Sequence, residues 1–360
     1  MENSEPSRSC DRLSQLPNKL IFFIFELLPM NDVVRSTILS KRWKDLWRTA
    51  PFLNFTDYSF KYNYYRNVAK VRRLVNRALI LWRGIELLKF KIDFRSRYDH
   101  VSVDLNVWVR WAKEKRVEEI HLRIKDMHES YELPECLYSC SSLKVLVLSL
   151  NCIRLSDIRG NIMWDSLKSL TIESVYFGPD SYFISQALRG SPNLEVFNLT
   201  LHDKRGSVFI QSSSLKKLSI RKTCYETDKE LEIVTPNLET LEISGSPYRR
   251  CVLSASSSSL TDVTLRFQED KSRHEQPYDV TQHLENLSLE NLSLSACCEN
   301  DCWETLSQIL PTIQHVERVK LSAYCIQVLQ RTNKQHLLSR PYFVVRDPVE
   351  FCGPVWCFDE

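Results

Sequence analysis

The side chains best suited to metal binding or nucleophilic chemistry are the twelve cysteines, which are spaced irregularly along the chain. The tightest group comprises Cys297, Cys298 and Cys302, while His283 and His315 lie at some distance from it. Zinc sites usually contain closer ligand pairs such as C-x-x-C, and this sequence has no C-x-x-C. We therefore interpret the cysteines as free thiols and expect no metal site.

The common motifs that hold phosphate groups or catalytic side chains are missing from the sequence. It has seven glycines, and neither G-x-G-x-x-G nor G-x-x-x-x-G-K can be written from them. The hydrolase motifs H-E-x-x-H and G-x-S-x-G are also absent. Enzymes without these motifs exist, but nothing in this sequence points to a catalytic residue or to a cofactor.

The first 26 residues bear on the cellular location of the protein and on whether it crosses a membrane. The opening MENSEPSRSC carries acids and a proline where a secretory signal would carry basic residues. This favours a reducing compartment in which cysteines stay free, so we expect a cytoplasmic or nuclear location. A membrane-spanning helix needs roughly 20 apolar residues. The best candidate, LIFFIF at 20–25, ends at Glu26 after six, so we expect no membrane partner.

Two basic segments, 41–48 and 66–77, raise the question of nucleic-acid binding. In the second segment Val71, Val75 and Ala78 form an apolar helical stripe. The basic residues then form the solvated side of that helix. A formal net charge of +3 is also too small to indicate a polyanionic partner by itself. We therefore expect no nucleic-acid partner.

The strongest pattern in the sequence is an internal repeat of the hexamer L-x-x-L-x-L. Successive copies begin 21 to 32 residues apart, and most spacings fall within the roughly 20–29 residues of leucine-rich repeats. The ten copies begin at Leu87, Val117, Leu143, Leu167, Leu194, Leu215, Leu238, Leu260, Leu284 and Val316. Between them, segments such as WETLSQIL (303–310) and SYFISQAL (181–188) have helical spacing.

The last four residues of each hexamer alternate as in a β-strand, so the fourth and sixth face one side and the third and fifth the other. In the copy LKVLVL, Leu146 and Leu148 would face inward, and Val145 and Val147 outward. One repeat cannot bury its own apolar edge, so the copies must stack. The sequence therefore predicts an α/β solenoid, a leucine-rich-repeat horseshoe with parallel strands on its concave face.

The outward strand positions form the surface on which we expect a protein partner to bind, because solenoids commonly use this concave surface. These positions are Lys89, Lys91, Glu119, His121, Val145, Val147, Ser169, Thr171, Val196, Asn198, Lys217, Ser219, Thr240, Glu242, Asp262, Thr264, Asn286, Ser288, Arg318 and Lys320. Both ends of the series are basic, and its middle is small and polar. The alternative is that these positions are polar because water covers them.

The segment 16–48, LPNKLIFFIFELLPMNDVVRSTILSKRWKDLWR, predicts a small all-α bundle of three short helices. Pro17 suits the first turn of a helix and Pro29 ends it. Asn31 and Ser40 can cap the second and third helices. Six consecutive apolar residues cover every direction around the first helix, which predicts a helix buried on all sides.

A bundle of about 40 residues rarely buries enough surface to be stable alone. We therefore expect this one to dock on the repeats or on another protein. The segment resembles the F-box of plant F-box proteins with leucine-rich repeats. The residues that carry the resemblance are Leu16-Pro17, Leu28-Pro29 and Leu39-Ser40-Lys41-Arg42-Trp43. The repeats, with Trp108 ahead of VEEIHL and the phrase SPNLEVFNL, extend it over most of the chain.

This resemblance implies a substrate-recognition subunit of a Skp-cullin-F-box ubiquitin ligase. The F-box would bind a Skp-type adaptor, and through it a cullin, while the repeats would hold an unknown protein substrate. Such a subunit is not itself catalytic. The alternative is a leucine-rich-repeat interaction scaffold whose F-box does not recruit a ligase.

The resemblance also implies which residues contact the adaptor. They are Leu16, Pro17, Leu20, Ile24, Leu28, Val33, Leu39 and Trp43. Some of them, Trp43 especially, could instead hold the three helices together. Phe23 stands where the family usually has a polar residue, and it could pack on the repeats or enlarge the adaptor contact.

The chain then divides into five segments. We expect a flexible N-terminus at 1–10, the F-box at 11–50, and a helical linker that caps the solenoid at 51–84. The leucine-rich repeats follow at 85–321, and a C-terminal cap or tail at 322–360. Related proteins often carry an additional FBD region after the repeats, and no complete FBD pattern is recognisable in this last segment.

Overall fold

The structure is a computed structural model in which the chain divides into two compact units, Met1–Cys152 and Ile153–Glu360. The described residues are 15–39, 41–56, 64–95, 101–125, 131, 133–150, 161–175, 182–201, 207–223, 230–254, 259–268, 301–332 and 345–346.

The first unit begins with three short helices, as the sequence predicts. They are α1 (Asn18–Leu27), α2 (Met30–Ser36) and α3 (Lys41–Leu46), followed by a 3₁₀ turn at Trp47–Thr49. Pro17 and Pro29 directly precede α1 and α2, where the missing N–H costs no helical hydrogen bond. Asn31 does not cap α2 as the sequence predicts, because α2 begins one residue earlier, at Met30. Ser40 lies outside the described residues.

Four parallel strands form the sheet of the first unit. In order of pairing they are β1 (Phe52–Thr56), β2 (Lys89–Arg95), β3 (Glu119–Lys125) and β4 (Val145–Leu150). Phe55, Ile92, Leu122 and Leu148 align across the four strands, and all are buried. The segment 51–84, for which the sequence predicts a helical linker that caps the solenoid, contains β1 as well as a helix.

Helices connect the consecutive parallel strands of this unit. They are α4 (Tyr64–Leu81), α5 (Val101–Glu114) and the single turn α6 (Glu135–Tyr138). The stripe predicted for α4 is confirmed, because Val71, Val75 and Ala78 are buried. The indole nitrogen of Trp108 on α5 donates a hydrogen bond to Asn76 Oδ1 on α4 at 2.7 Å. Adjacent return helices are therefore joined by a polar contact as well as by packing.

The N-terminal helices are packed onto the sheet within the same unit. Helices α1 and α2 contact β1. The indole nitrogen of Trp82 donates to the carbonyl of Ala50 at 2.9 Å, and the amide of Arg83 donates to the carbonyl of Arg48 at 2.6 Å. These bonds tie the end of α4 to the turn that follows α3, so the helical bundle and the first strands share one core.

Parallel strands also stack in the second unit. In order of pairing they are β5 (Ser169–Val175), β6 (Val196–Leu201), β8 (Lys217–Lys222), β10 (Thr240–Gly245), β12 (Asp262–Phe267), β13 (Arg318–Leu321) and β14 (Val345–Arg346). Its helices are α7 (Tyr182–Arg189), α8 (301–309) and α9 (Ala323–Arg331). Parallel stacking after an N-terminal helical region confirms the predicted leucine-rich-repeat fold.

Nine of the ten hexamers begin two residues ahead of a strand in the described residues. The exception is the hexamer at Leu284, which lies outside the described residues. Strand β12 pairs directly with β13, with Asp262 opposite Arg318.

In three consecutive repeats, the segment that connects one strand of the main sheet to the next contains a β-strand instead of a helix, and these three connecting strands form a second sheet. Strands β7 (Val208–Gln211), β9 (Glu230–Val234) and β11 (Arg250–Leu253) pair in parallel, with β9 in the centre. These repeats begin 21 to 23 residues apart, the shortest spacings in the series. A strand advances about 3.3 Å per residue and a helix 1.5 Å. An extended return therefore spans the repeat with fewer residues.

Gly245 closes strand β10 with a φ of +91°, a conformation that side chains rarely adopt. The next amide, of Ser246, donates to the carbonyl of Lys222 at 2.8 Å. A Cβ on residue 245 would overlap that carbonyl oxygen. Lys222 cannot easily move, because its buried Nζ donates to the carbonyl of Pro247 at 2.7 Å. The position therefore requires glycine.

We expect Gly245→Ala to lower the free energy of unfolding by about 1–3 kcal/mol, because the backbone conformation becomes strained and the Cβ has no room. Urea denaturation followed by circular dichroism measures this change. Ser219→Ala, at an outward position of β8, is the control and should change it by less than about 0.5 kcal/mol. Equal unfolding midpoints for both variants would contradict the requirement for glycine.

Candidate functional site

Helix α1 has two apolar faces in different surroundings. Ile21 and Phe25, four residues apart, are buried, and the ring of Phe25 meets that of Trp43 edge to face at 5.5 Å. On the other side Leu20, Phe23 and Leu27 are exposed, Phe23 by 60% and Leu27 by 81%. The helix is therefore not buried on all sides in the chain alone, which corrects that prediction.

Exposed apolar side chains continue beyond α1. Half of the twelve exposed large hydrophobic residues in the described structure fall within residues 20–39. We call these six the apolar surface: Leu20, Phe23, Leu27, Val34, Ile38 and Leu39. Ile38 is 87% exposed. Such a concentration in one short segment is typical of an interaction site in a soluble domain.

The eight residues that the resemblance assigns to the adaptor fall into three groups. Pro17, Leu20 and Leu39 are exposed. Leu16, Ile24 and Leu28 are partly exposed. Val33 and Trp43 are only 2% and 3% exposed, so in this structure they hold the helices together. These last two side chains do not reach a partner without rearrangement of the bundle.

Four members of the apolar surface, Phe23, Leu27, Val34 and Ile38, are absent from the set expected from the sequence. The run of six apolar residues contains no polar side chain that would mark which face is outside. The contact of α1 with β1 decides this, and β1 itself is not evident from the repeat pattern. The apolar pattern therefore does not separate Phe23 from Phe25, and the one signal that does is the resemblance, in which the family usually has a polar residue at the position of Phe23.

The outward positions that the hexamer predicts in the first unit form two aligned rows, and a third row, Asp93, Arg123 and Ser149, follows because the strands extend past the hexamer. Lys89, Glu119 and Val145 share the first row, and Lys91, His121 and Val147 the second. Glu119 Oε2 lies 3.4 Å from both Lys89 Nζ and His121 Nε2. The hydrogen bond with His121, and then the charge of Lys89, hold the pKa of Glu119 below its ordinary value against the opposing effect of burial. Val147 is buried.

Lys89 also joins this row to the N-terminal helices. Its Nζ lies 3.4 Å from Glu26 Oε1 on α1 as well as from Glu119. One ammonium group therefore holds two carboxylates. The charge at this basic end of the predicted surface is largely satisfied within the protein.

The outward positions of the second unit form three rows, one more than the hexamer predicts. The first row is Ser169, Val196, Lys217, Thr240, Asp262 and Arg318, and the second is Thr171, Asn198, Ser219, Glu242, Thr264 and Lys320. The third is Thr200, Arg221, Ser244 and Arg266. The strands extend past the hexamer, and this adds Arg221 and Arg266. Asn286 and Ser288 lie outside the described residues.

Two ion pairs cross the strands of this face. Arg318 Nε lies 2.6 Å from Asp262 Oδ1, and Arg266 Nη1 lies 2.8 Å from Glu242 Oε1. Partial burial raises the pKa of Asp262, but hydrogen bonds from Arg318 and Thr261 outweigh it and keep the pKa below its ordinary value. Both acids are therefore already paired with arginines on the same face.

The described residues offer neither a metal site nor a membrane-spanning helix. These residues contain no group of three or more His, Cys, Asp or Glu side chains that could hold a metal ion. No helix among them is both long enough and apolar enough to cross a bilayer. Cys297, Cys298 and His283 lie outside the described residues.

Comparison with known families identifies both parts of the chain. Residues 13–55 match the F-box domain, and residues 105–257 match the LRR repeats of FBD-associated F-box protein At5g56370. The chain therefore contains a match to the F-box domain followed by a match to leucine-rich repeats, and its fold agrees with both. Its homologues are Arabidopsis F-box/FBD/LRR-repeat proteins, so the resemblance that the sequence suggests is confirmed.

Individual relatives from Arabidopsis thaliana cover the chain to different extents. F-box/FBD/LRR-repeat protein At5g56420 is 32% identical over 238 residues, which are 65% of this chain and 55% of the relative. F-box/LRR-repeat protein At3g26922 is 28% identical over 299 residues, which are 81% of this chain and 94% of the relative. The chain thus spans about half the length of the first relative and most of the second.

The two faces of the helical bundle should respond differently to truncation. We expect Trp43→Ala to lower the free energy of unfolding by about 3–5 kcal/mol, because it leaves a cavity beside Phe25. Leu27→Ala should change it by less than about 0.5 kcal/mol, because the side chain already contacts water. Thermal or urea unfolding measures both. A Leu27→Ala variant as unstable as Trp43→Ala would mean that this face is packed inside the protein.

Proposed function

We propose that this protein is the substrate-recognition subunit of a Skp-cullin-F-box ubiquitin ligase. The observation that carries the proposal is the apolar surface on residues 20–39, on helices whose opposite faces hold the protein's own core. The proposal assigns the F-box to a Skp-type adaptor and, through it, to a cullin. It assigns the outward face of the repeats to a target protein.

The energetics favour a partner on the apolar surface. Burying a Val, Leu, Ile or Phe side chain fully is worth about 1.5–3 kcal/mol. The apolar surface has six such side chains, which are between 38% and 87% exposed. A few buried anchors supply most of the binding energy in protein interfaces. Leu20, Phe23 and Leu27 on α1 are the proposed anchors, with Ile38 and Leu39 beside α2.

In this proposal the protein contributes proximity rather than chemistry. Holding a target near the catalytic subunits turns an encounter between separate molecules into one within a complex, which raises the effective concentration of target lysines. The chain needs no catalytic residue for this role. A ligase of this class would act in the cytoplasm or the nucleus.

We expect the triple variant Leu20→Ala, Phe23→Ala, Leu27→Ala to bind a plant Skp-type adaptor at least tenfold more weakly than the unmodified chain. Three exposed anchors are truncated, and a tenfold change corresponds to about 1.4 kcal/mol. Isothermal titration calorimetry with purified proteins measures the affinity.

The matched control is Ile80→Ala, Val103→Ala, Val107→Ala, which truncates three exposed apolar side chains on α4 and α5. Its affinity for the adaptor should stay within about twofold of the unmodified chain. Equal weakening by both variants would place the adaptor elsewhere. An unmodified, folded chain that binds no Skp-type adaptor would favour the alternative, a repeat scaffold that does not recruit a ligase.

A further inference from the structure

We propose that the outward sheet face of the second unit binds an acidic segment of a partner protein, through a basic surface centred on strand β8. The basic surface comprises Lys217, Arg221 and Lys320, together with Arg266, which is paired with Glu242. This inference rests on the proposed receptor function, since it names the chemical class of the target that the repeats would hold. It uses residues separate from the apolar surface of the F-box.

The geometry places these four cations on one face of one sheet. Lys217 and Arg221 lie on β8 in the first and third rows, which separates their Cα atoms by about 13 Å along the strand. Arg266 shares the third row with Arg221, with Ser244 of β10 between them. Two strand spacings separate them, about 10 Å. Lys320 lies in the second row on β13.

The charges on this face do not balance. The three rows of outward positions carry Lys217, Arg221, Arg266, Arg318 and Lys320 against Glu242 and Asp262. Arg318 and Arg266 already neutralise Asp262 and Glu242. Lys217 and Arg221 are exposed and form no ion pair or side-chain hydrogen bond with any residue that the structure describes. The unmatched positive charge therefore sits in the centre of the sheet.

The remaining outward side chains favour an extended peptide over a nucleic acid. Short hydroxyl side chains separate the cations, namely Thr200, Ser219, Thr240, Ser244 and Thr264. They leave room for a backbone to approach and can hydrogen-bond to it. Proteins that bind single-stranded nucleic acid add aromatic platforms to a basic groove. The three rows of outward positions on the main sheet of this unit include no aromatic residue among the residues that the structure describes.

The anionic groups on the partner can be carboxylates or phosphates. An arginine fork binds either of them with two parallel hydrogen bonds. A segment of about five extended residues spans the distance from Lys217 to Lys320, roughly 16 Å, at about 3.3 Å per residue. Aspartate, glutamate or phosphoserine at alternate positions would then face the basic surface.

The test is fluorescence anisotropy of the full chain with four labelled probes at low and at physiological salt. The probes are a twelve-residue Asp/Glu-rich peptide, a version with phosphoserine in place of two acids, an Asn/Gln version, and a fifteen-nucleotide oligo-dT. We expect both acidic peptides to bind at least tenfold more tightly than the Asn/Gln peptide, and more weakly as salt rises. The tighter of the two identifies the preferred anionic group.

The variant Lys217→Glu, Arg221→Glu should weaken acidic-peptide binding at least tenfold. The control Lys70→Glu, Arg77→Glu makes the same change of charge at exposed positions of α4 and should weaken it by less than twofold. Equal binding of the acidic and Asn/Gln peptides, equal loss in the two variants, or oligo-dT binding as tight as the peptides would overturn the inference. Circular dichroism confirms that each variant is folded.

Adaptor affinity separates this inference from the proposed function. The Lys217→Glu, Arg221→Glu variant should bind the Skp-type adaptor as the unmodified chain does. If the chain binds acidic peptides but no adaptor, the receptor proposal is wrong and the inference about the basic surface is supported. If it binds the adaptor but shows no preference for acidic peptides, the inference about the basic surface is wrong and the receptor proposal is supported.

Discussion

The structure depends on the inability of any single repeat to bury its own apolar edge. Leu122 of β3 is buried because Ile92 and Leu148 of the neighbouring strands lie beside it. The same requirement applies to the strand that begins the series, which has a neighbour on one side. In the first unit, helices α1 and α2 lie against that strand, β1. The F-box helices are therefore part of the repeat core as well as a separate functional element.

This double use explains the division of α1 into two faces. Ile21 and Phe25 are committed to the core, so Leu20, Phe23 and Leu27 are left outside. A helix with apolar residues on every side has no soluble face, and a bundle of about 40 residues cannot hide it alone. The repeats supply cover for one face, and an adaptor would supply it for the other. In the proposed account, one face of α1 stabilises the bundle and the other stays open to a partner.

Sequence reasoning located the repeated strands because their apolar period is regular, and it located the helices at α7 and α8 from their spacing. It missed β1, whose sequence FLNFT lacks the leading leucine of the hexamer, and it missed β7, β9 and β11, which are short and follow the narrowest repeats. The repeat pattern did not predict the third row of outward positions, because each hexamer ends one residue before that row, ahead of Arg221 and Arg266. The exposed face of α1 depends on a tertiary contact, which no local pattern of apolar residues records.

The central claim is that one segment of the chain, residues 16–39, recruits the adaptor while the outward face of the second unit stays available for a target. Hydrogen–deuterium exchange of the full chain, with and without a Skp-type adaptor, tests it most directly. The account predicts slower amide exchange in residues 16–39 on adding the adaptor, and unchanged exchange in strands β6, β8, β10 and β12. Slower exchange in those strands, with no change in residues 16–39, would contradict it.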